Sequence, residues 1–378
     1  MRDRRREEFP SLSRGIHLLS HSLGPMPRRA RESMTVYLDR WERYGSENAW
    51  EAEWWDLSRK AGDLLGRILG APAGSVGIQP NASVAISAVA SCLDFTGPRR
   101  KIVTTALEFP TMEYILREQE RSGARLEVVA SEDGVTTSID RLLEAIDEET
   151  VLTAVSHASY RSSFRLDPRP IVQRAHEIGS LVLLDVYQTA GVLPLEVASW
   201  GVDFAVGGTI KWLCGGPACG YLFVQPDLLR KLEPRLTGWI AHAEPFEFAP
   251  GRIRYDKGVR RFAQGTPSIP ALYSCLPGIE ILLDVGAETI ALESRRRTQQ
   301  MVDTALDRGW DLKSPIEATR RGGSVMLGAD DPERLSDELS RRGVLVDWRP
   351  GVVRISPHFF NTDEEVAQTL EILAELLG

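Results

Sequence analysis

Residues 181–220, LVLLDVYQTAGVLPLEVASWGVDFAVGGTIKWLCGGPACG, decide the fold of this chain. They contain two apolar runs, LVLL at 181–184 and FAVGG at 204–208. Continuous apolar runs of this length are typical of strands that are buried on both faces of a parallel sheet. Asp185 ends the first run and Lys211 follows the second. Both residues are therefore expected at the carboxyl edge of the sheet, where open α/β sheets bind ligands.

The same alternation extends on either side of this stretch and predicts an α/β fold. Helix candidates that begin near residues 81, 110, 138 and 170 separate the apolar runs, which indicates a largely parallel sheet covered by helices on both faces. The strand candidates are KIVTTA (101–106), RLEVVA (125–130), VLTAVSH (151–157), SLVLLDV (180–186), FAVGG (204–208) and GYLFVQ (220–225).

The outer parts of the chain predict helices over 28–70 and about 269–308, followed by a compact βαββα order. The chain has 378 residues, which exceeds the roughly 250–300 residues at which single hydrophobic cores stop growing. We therefore expect an N-terminal segment at 1–30, a large domain at 31–275 and a small C-terminal domain at 276–378.

Composition excludes several classes of partner. The formal net charge of -8 argues against a nucleic-acid partner, which normally leaves a basic footprint. No uncharged apolar run approaches the ~20 residues of a membrane span, and the arginine-rich start has no apolar run after it, unlike a signal peptide. The four cysteines lack the spacing of a metal site. We expect a cytoplasmic protein with reduced thiols and no metal, nucleic-acid or membrane partner.

Lysine is scarce, because only six of the 45 basic residues are lysine and the rest are arginine, whose pKa is too high for amine chemistry. Lys211 lies between Ile210 and Trp212, and such apolar surroundings favour the free amine. A lysine and an aspartate at strand ends are one way to bind pyridoxal phosphate. The alternatives are a solvated Lys211 and an Asp185 that caps the following turn. The remaining lysines are Lys60, Lys101, Lys231, Lys257 and Lys313.

Motifs elsewhere lie in a recognisable order around the central stretch. HSLGPMP (21–27) precedes it, and GWIAHAEPF (238–246), QGTPS (264–268) and VVRISPHFFNT (352–362) follow it. Together they resemble the class V aminotransferase family of fold type I pyridoxal-phosphate enzymes, and within it the kynureninase-like branch, over nearly the whole chain. The resemblance implies an aspartate aminotransferase-like fold with a mostly parallel seven-stranded sheet in the large cofactor-binding domain and a small α+β domain. It also implies an amino acid substrate and a homodimer with its active site at the subunit interface, so that the N-terminal segment would pack on the small domain or on the dimer partner.

The resemblance further implies a role for individual residues. Lys211 would form the Schiff base with pyridoxal 5′-phosphate, Asp185 would pair with the pyridine nitrogen, and Arg354 would hold the substrate carboxylate. Each also has an ordinary structural alternative, such as core packing or a solvated strand position. The other residues implied to bind the cofactor are Asn81, Ala82 and Ser83 around the phosphate, Phe109 on the ring, Gln188 on the O3′ oxygen, Thr209, Trp239, and Thr266 from the neighbouring subunit.

The function remains open among three possibilities. Transamination of an amino acid through Lys211 is the leading expectation, a kynureninase-like hydrolase or C–C or C–S lyase is the alternative, and a non-catalytic protein of this fold is the third. Ile210 stands where relatives have a residue that helps the phosphate or the chemistry, so Thr209 is expected to supply a hydroxyl instead. The segment at 44–55 lacks the histidine of the kynureninase pocket, and the absence of cysteine from 336–354 argues against a desulfurase.

Overall fold

A computed structural model describes residues 2–377, without the side chains of residues 2–4, 44, 46 and 47. Met1 and Gly378, which end the two outer predicted segments, lie outside the described residues, as does the Tyr44 side chain of the predicted pocket segment. The strands are β1 (Ile16–His17), β2 (Val76–Gln79), β3 (Lys101–Thr105), β4 (Arg125–Val129), β5 (Thr150–Ser156), β6 (Leu181–Asp185), β7 (Phe204–Gly208), β8 (Gly220–Val224), β9 (Val325–Gly328), β10 (Val344–Leu345), β11 (Asp347–Arg349) and β12 (Val352–Ile355).

Helices connect these strands. A short π-helical segment, Trp50–Trp54, joins the second helix to the third. The helices are α1 (Arg2–Glu7), α2 (Arg28–Ala49), α3 (Trp55–Leu69), α4 (Ala82–Ala90), α5 (Pro110–Glu118), α6 (Ile139–Ala145), α7 (Pro168–Glu177), α8 (Ile269–Val285), α9 (Ala287–Asp307), α10 (Pro332–Arg341) and α11 (Asp363–Leu377). Among residues 2–377, none of the helices combines the length and the hydropathy of a membrane span.

The central sheet of the described chain has seven strands in the order β2-β8-β7-β6-β5-β3-β4. Strands β3 to β7 run parallel, whereas β8 is antiparallel to both of its neighbours, β7 and β2. The predicted mostly parallel seven-stranded sheet is confirmed, and all six strand candidates are strands. The edge strand β2 is not predicted, because its four residues, VGIQ, include a glycine and a glutamine.

Side chains of the parallel strands are buried on both faces of this sheet. On one face Leu184 and Ala205 pack with apolar residues of α3 and α8. On the other face Leu183 and Phe204 pack with apolar residues of α4 and α5. The continuous apolar runs of the sequence therefore follow from burial on two sides.

A second, smaller sheet carries the C-terminal part of the chain. Strand β12 pairs antiparallel with both β11 and β9, and α9 to α11 pack against it. The N-terminal segment joins this part, because β1 pairs parallel with β10 and Leu18 is fully buried in the same cluster. The helical stretch predicted over 269–308 is two helices that break at Gly286, whose φ of 87° ends α8. The division into 1–30, 31–275 and 276–378 stays a prediction.

Candidate active site

The carboxyl ends of neighbouring parallel strands bring together three of the predicted site residues. Asp185 is the last residue of β6, Lys211 lies in the loop after β7, and Phe109 lies between β3 and α5. The amine nitrogen Nζ of Lys211 is 5.9 Å from the centroid of the Phe109 ring. The negative charge of Asp185 acts directly on the pKa of this lysine. The edge of the sheet thus presents an amine, a carboxylate and an aromatic ring to one space.

Lys211 is half-buried between aromatic rings, and its Nζ is 4.1 Å from the centroid of the Tyr187 ring. Burial lowers the pKa of Lys211 to about 8, because the charged form loses its hydration. Asp185 opposes this shift, and the nearby positive charges of Arg354 and Arg349 add to it. Near neutral pH about a tenth of the amine is therefore unprotonated and nucleophilic, far more than for a solvated lysine.

This pKa predicts how cofactor uptake depends on pH. The rate at which the protein freed of cofactor captures added pyridoxal phosphate should rise steeply up to about pH 8 and then level off, because the amine of Lys211 loses its proton there. A solvated lysine would keep gaining reactivity up to about pH 10.4. Visible absorbance after rapid mixing measures this rate, with N-acetyl-lysine as the reference amine. A profile parallel to that of the reference would contradict the prediction.

Asp185 is buried and uses one of its two carboxylate oxygens inside the protein. The backbone N–H of Tyr187 donates to Oδ1 at 2.8 Å, so the aspartate does cap the following turn, as the structural alternative expected. Burial raises the pKa of Asp185, and this hydrogen bond and the charge of Lys211 oppose the rise. Capping engages Oδ1 alone, so it is compatible with a second role for the other carboxylate oxygen.

The start of α4 provides hydrogen-bond donors for an anion. Asn81 caps the helix by accepting the N–H of Val84 at 2.9 Å, and no acceptor within the described residues takes the N–H groups of Ala82 and Ser83. The Ser83 hydroxyl lies 3.1 Å from that of Thr111. Free N–H groups and the helix dipole together favour a bound phosphate at such a position.

The role of the Thr209 hydroxyl at the phosphate stays a prediction, and the contacts of this hydroxyl argue against it. Thr209 is fully buried, and its Oγ1 donates to the carbonyl of Gly216 at 3.0 Å or of Cys219 at 3.2 Å. A single hydroxyl proton cannot serve these carbonyls and a phosphate together. Thr209 instead holds the loop that follows Lys211. Ile210 offers no polar group.

Arg354 is buried in β12 and is paired with a carboxylate that the sequence reasoning missed. Asp347 lies directly opposite Arg354 in the β11–β12 pairing. Nε of Arg354 donates to Oδ1 of Asp347 at 2.8 Å, Nη2 donates to Oδ2, and Nη1 donates to the carbonyl of Tyr160 at 3.0 Å. Nη1 of Arg349 also lies 3.2 Å from Oδ2 of Asp347. The alternation of charges in VDWRPGVVR across a tight turn is a signal that could have identified this pair.

The N-terminal segment contributes His21 to the same cluster. Its ring nitrogens lie 2.6 Å from Oδ1 of Asp347 and 2.5 Å from the hydroxyl of Ser356. Burial, and then the charge of Arg354, lower the pKa of His21 to about 4, so the ring is neutral at physiological pH. The His21 carbonyl accepts a hydrogen bond from the side-chain amide of Gln188 at 3.2 Å. Gln188 is thereby fixed next to the lysine loop, where its oxygen also accepts the indole N–H of Trp212 at 3.4 Å.

Two predicted residues lie apart from this cluster, on the surface of the protein. Trp239 has 39% of its surface exposed, and its ring contacts are with Trp55, Phe246 and Phe248. Thr266 is exposed and lines a cavity of about 670 Å³ that Trp55 and Phe246 also line. The tryptophan-rich segment at 50–55 therefore contributes both to the core, through Trp54, and to this cavity.

Comparison with known proteins identifies the family. The model of the family Aminotransferase class-V matches residues 26–368. The chain belongs to the class V aminotransferase family. Its relatives include the kynureninase of Bacillus thuringiensis subsp. konkukian (strain 97-27), 31% identical over 98% of this chain and 90% of that protein. The uncharacterised aminotransferase YcbU of Bacillus subtilis (strain 168) is 29% identical over 98% of this chain and 96% of its own length.

Solved structures agree on the fold. The apo cysteine desulfurase of Thermococcus onnurineus NA1 superimposes with a TM-score of 0.88 at 20% identity, over 99% of this chain and 97% of that one. At this identity the likeness concerns the fold alone, and it confirms the predicted fold type I architecture. Pyridoxal 5′-phosphate, the predicted cofactor, is the cofactor of the class V family. The site fits it, because a reactive amine, a strand-end carboxylate and the exposed Phe109 ring share one space, and the start of α4 offers N–H groups that no acceptor in the described residues takes.

Proposed function

We propose that this protein is a pyridoxal-phosphate-dependent aminotransferase that acts on an amino acid through Lys211. The environment of the Lys211 amine carries the proposal. A half-buried amine with a pKa of about 8 lies beside the strand-end Asp185 and within the electrostatic influence of Arg354. Membership of the class V aminotransferase family, and the likeness to an aminotransferase over 98% of the chain, favour transamination as the reaction.

Each residue has a distinct task in this proposal. When bound, the cofactor supplies an electron-withdrawing ring that accepts the electron pair left at the substrate Cα. Asp185 would hold the proton on the pyridine nitrogen and so maintain that electron demand. Lys211, once released by the substrate, would remove the Cα proton as a general base. Arg354 would fix the substrate carboxylate, and Phe109 would restrain the ring from its open face.

We further propose that the active site is completed by a second copy of the chain. Thr266 and Trp239 are exposed in the single subunit, next to a cavity bordered by apolar side chains such as Ile240 and Phe246. In a homodimer, Thr266 would reach the phosphate bound by the other subunit. Burial of the exposed rings of Phe246 and Phe248 would contribute to the association free energy.

A kynureninase-like hydrolase or a C–C or C–S lyase is the second candidate. The 31% identity to a kynureninase over 98% of this chain favours it. Ile210, before the lysine, and the histidine-free segment at 44–55 weigh against kynurenine itself as the substrate. A β-substituted amino acid with another side chain is compatible with both features.

One half-reaction distinguishes the two candidates. The enzyme loaded with pyridoxal phosphate is incubated with single amino acids in the absence of a keto acid, and the released cofactor is identified by chromatography. A transaminase converts about one equivalent of cofactor per subunit to pyridoxamine phosphate and then stops. A lyase or hydrolase turns over repeatedly and keeps the aldehyde form, which would contradict the leading proposal. The Lys211→Ala variant should support neither result.

A further inference from the structure

Tyr187 has a side chain that spans the floor of the candidate site. It follows Asp185 by two residues, and its ring centroid is 4.1 Å from Nζ of Lys211. A Cβ atom built on Gly208 would lie only 2.5 Å from the phenol oxygen of Tyr187. The side chain therefore extends from the end of β6 across the end of β7. Glycine at 208 is what leaves room for the hydroxyl.

The hydroxyl lies against Gly208 at the end of β7, and the neighbouring strand β8 begins beside the start of α4. Gly208 pairs with Gly220 in the β7–β8 register. A Cβ atom built on Gly220 would in turn lie 2.6 Å from Cα of Asn81 and 3.0 Å from the backbone nitrogen of Ala82. The paired Gly208 and Gly220 therefore lie between the Tyr187 phenol and the start of α4, where no acceptor in the described residues takes the N–H groups of Ala82 and Ser83.

The hydroxyl is also an available donor. Within residues 2–377, no hydrogen-bond partner is assigned to the phenol of Tyr187. Burial, and then the charge of Asp185, raise the pKa of Tyr187 to about 12, so the phenol keeps its proton. By contrast, the hydroxyl of Thr209 is committed to backbone carbonyls and Ile210 has none.

We propose that Tyr187 is a cofactor-binding residue, whose ring forms a second wall of the slot beside Phe109 and whose hydroxyl donates a hydrogen bond to the cofactor phosphate. This inference rests on the proposed function, because it requires that the site bind pyridoxal phosphate. It assigns to Tyr187 the side-chain donor that positions 209 and 210 do not supply. Both rings lie near the reactive amine, with centroids 4.1 Å (Tyr187) and 5.9 Å (Phe109) from Nζ of Lys211.

Two ligands that differ only in the phosphate test the contact. Protein freed of cofactor is titrated with pyridoxal phosphate and with pyridoxal, and dissociation constants are obtained from visible absorbance and tryptophan fluorescence. Tyr187→Phe should raise the dissociation constant of pyridoxal phosphate by about tenfold to a hundredfold, as expected for a lost hydrogen bond to a charged group. The dissociation constant of pyridoxal should change by less than about twofold. The affinity for inorganic phosphate, measured by competition with pyridoxal phosphate, should fall by a similar factor. Tyr114→Phe, on the exposed face of α5, should change neither ligand.

The outcomes separate this inference from the proposed function. If the parent protein never captures pyridoxal phosphate, the proposed function fails and Tyr187 has no such role. If the parent binds pyridoxal phosphate and Tyr187→Phe binds each ligand as tightly as the parent does, only the proposed phosphate contact is overturned. If Tyr187→Phe weakened the binding of both ligands equally, the phosphate contact would also be overturned, because the effect would not depend on the phosphate. Tyr187→Leu, which removes the ring, should weaken both ligands, and thermal melting checks that each variant is folded.

Discussion

Replacing Lys211 with alanine or arginine should abolish covalent capture of the cofactor and lower turnover by at least about 10³-fold, as expected when a general base is lost together with the anchoring amine. Arginine keeps the positive charge but supplies no amine, so the arginine variant tests whether the charge alone supports capture and turnover. Reduction with borohydride makes the lysine–cofactor link permanent. Peptide mapping of the reduced parent protein should then find the label at residue 211, and neither variant should carry it there.

Burial of a lysine is not sufficient for this reactivity. Lys101 is also buried, but its Nζ lies 2.7 Å from Asp147 and 3.4 Å from Glu127, and it begins β3 at the opposite edge of the sheet. Lys211 meets aromatic rings instead, which leaves its amine free to react. The exposed Lys257 offers a matched control, because Lys257→Ala should retain the label and full activity. Label on any lysine other than Lys211 would refute the assignment.

Much of the fold could be predicted, because the central strands are buried on both faces and leave continuous apolar runs. The edge strand β2 and the two-residue strand β1 have no continuous apolar run that would predict them. The edge strand β2 is short and half polar, and β1 has two residues that become a strand only by pairing with β10, more than 300 residues away. The break at Gly286 was missed for a different reason. Helical periodicity continues on both sides of it, and only its positive φ ends α8.

Some residues of the candidate site could likewise be predicted from the sequence, and others could not. Residues placed by the ends of parallel strands, such as Asp185 and Lys211, could be predicted from strand order alone. His21 could not, because its place beside Asp347 depends on how the N-terminal segment packs against β11 and β12. The orientation of Tyr187 depends on the missing side chain of Gly208, which is a three-dimensional fact that no local pattern reports.

The pairing of Arg354 changes what is expected of the substrate carboxylate. Asp347 occupies the Nε and Nη2 positions of the guanidinium group, which leaves a substrate to approach by its remaining N–H groups. The pKa of Asp347 lies far below its usual range despite burial, because His21 and Arg354 hydrogen-bond to its carboxylate. Protonation therefore does not release Arg354 anywhere near neutral pH. The guanidinium is held in one orientation before substrate arrives.

Arg354→Gln should lower kcat/KM for amino acids by about 10²- to 10³-fold, because charge-assisted hydrogen bonds to the substrate carboxylate are lost. The informative measurement compares each amino acid with the amine that lacks its carboxylate. The parent enzyme should prefer the amino acid strongly, whereas the variant should treat the two nearly alike, since it no longer recognises the carboxylate. Arg252→Gln, at a side chain that is 91% exposed, should keep the full preference. If Arg354→Gln retained that preference, another group would have to bind the carboxylate, and Arg349, which also contacts Asp347, would be the next residue to replace.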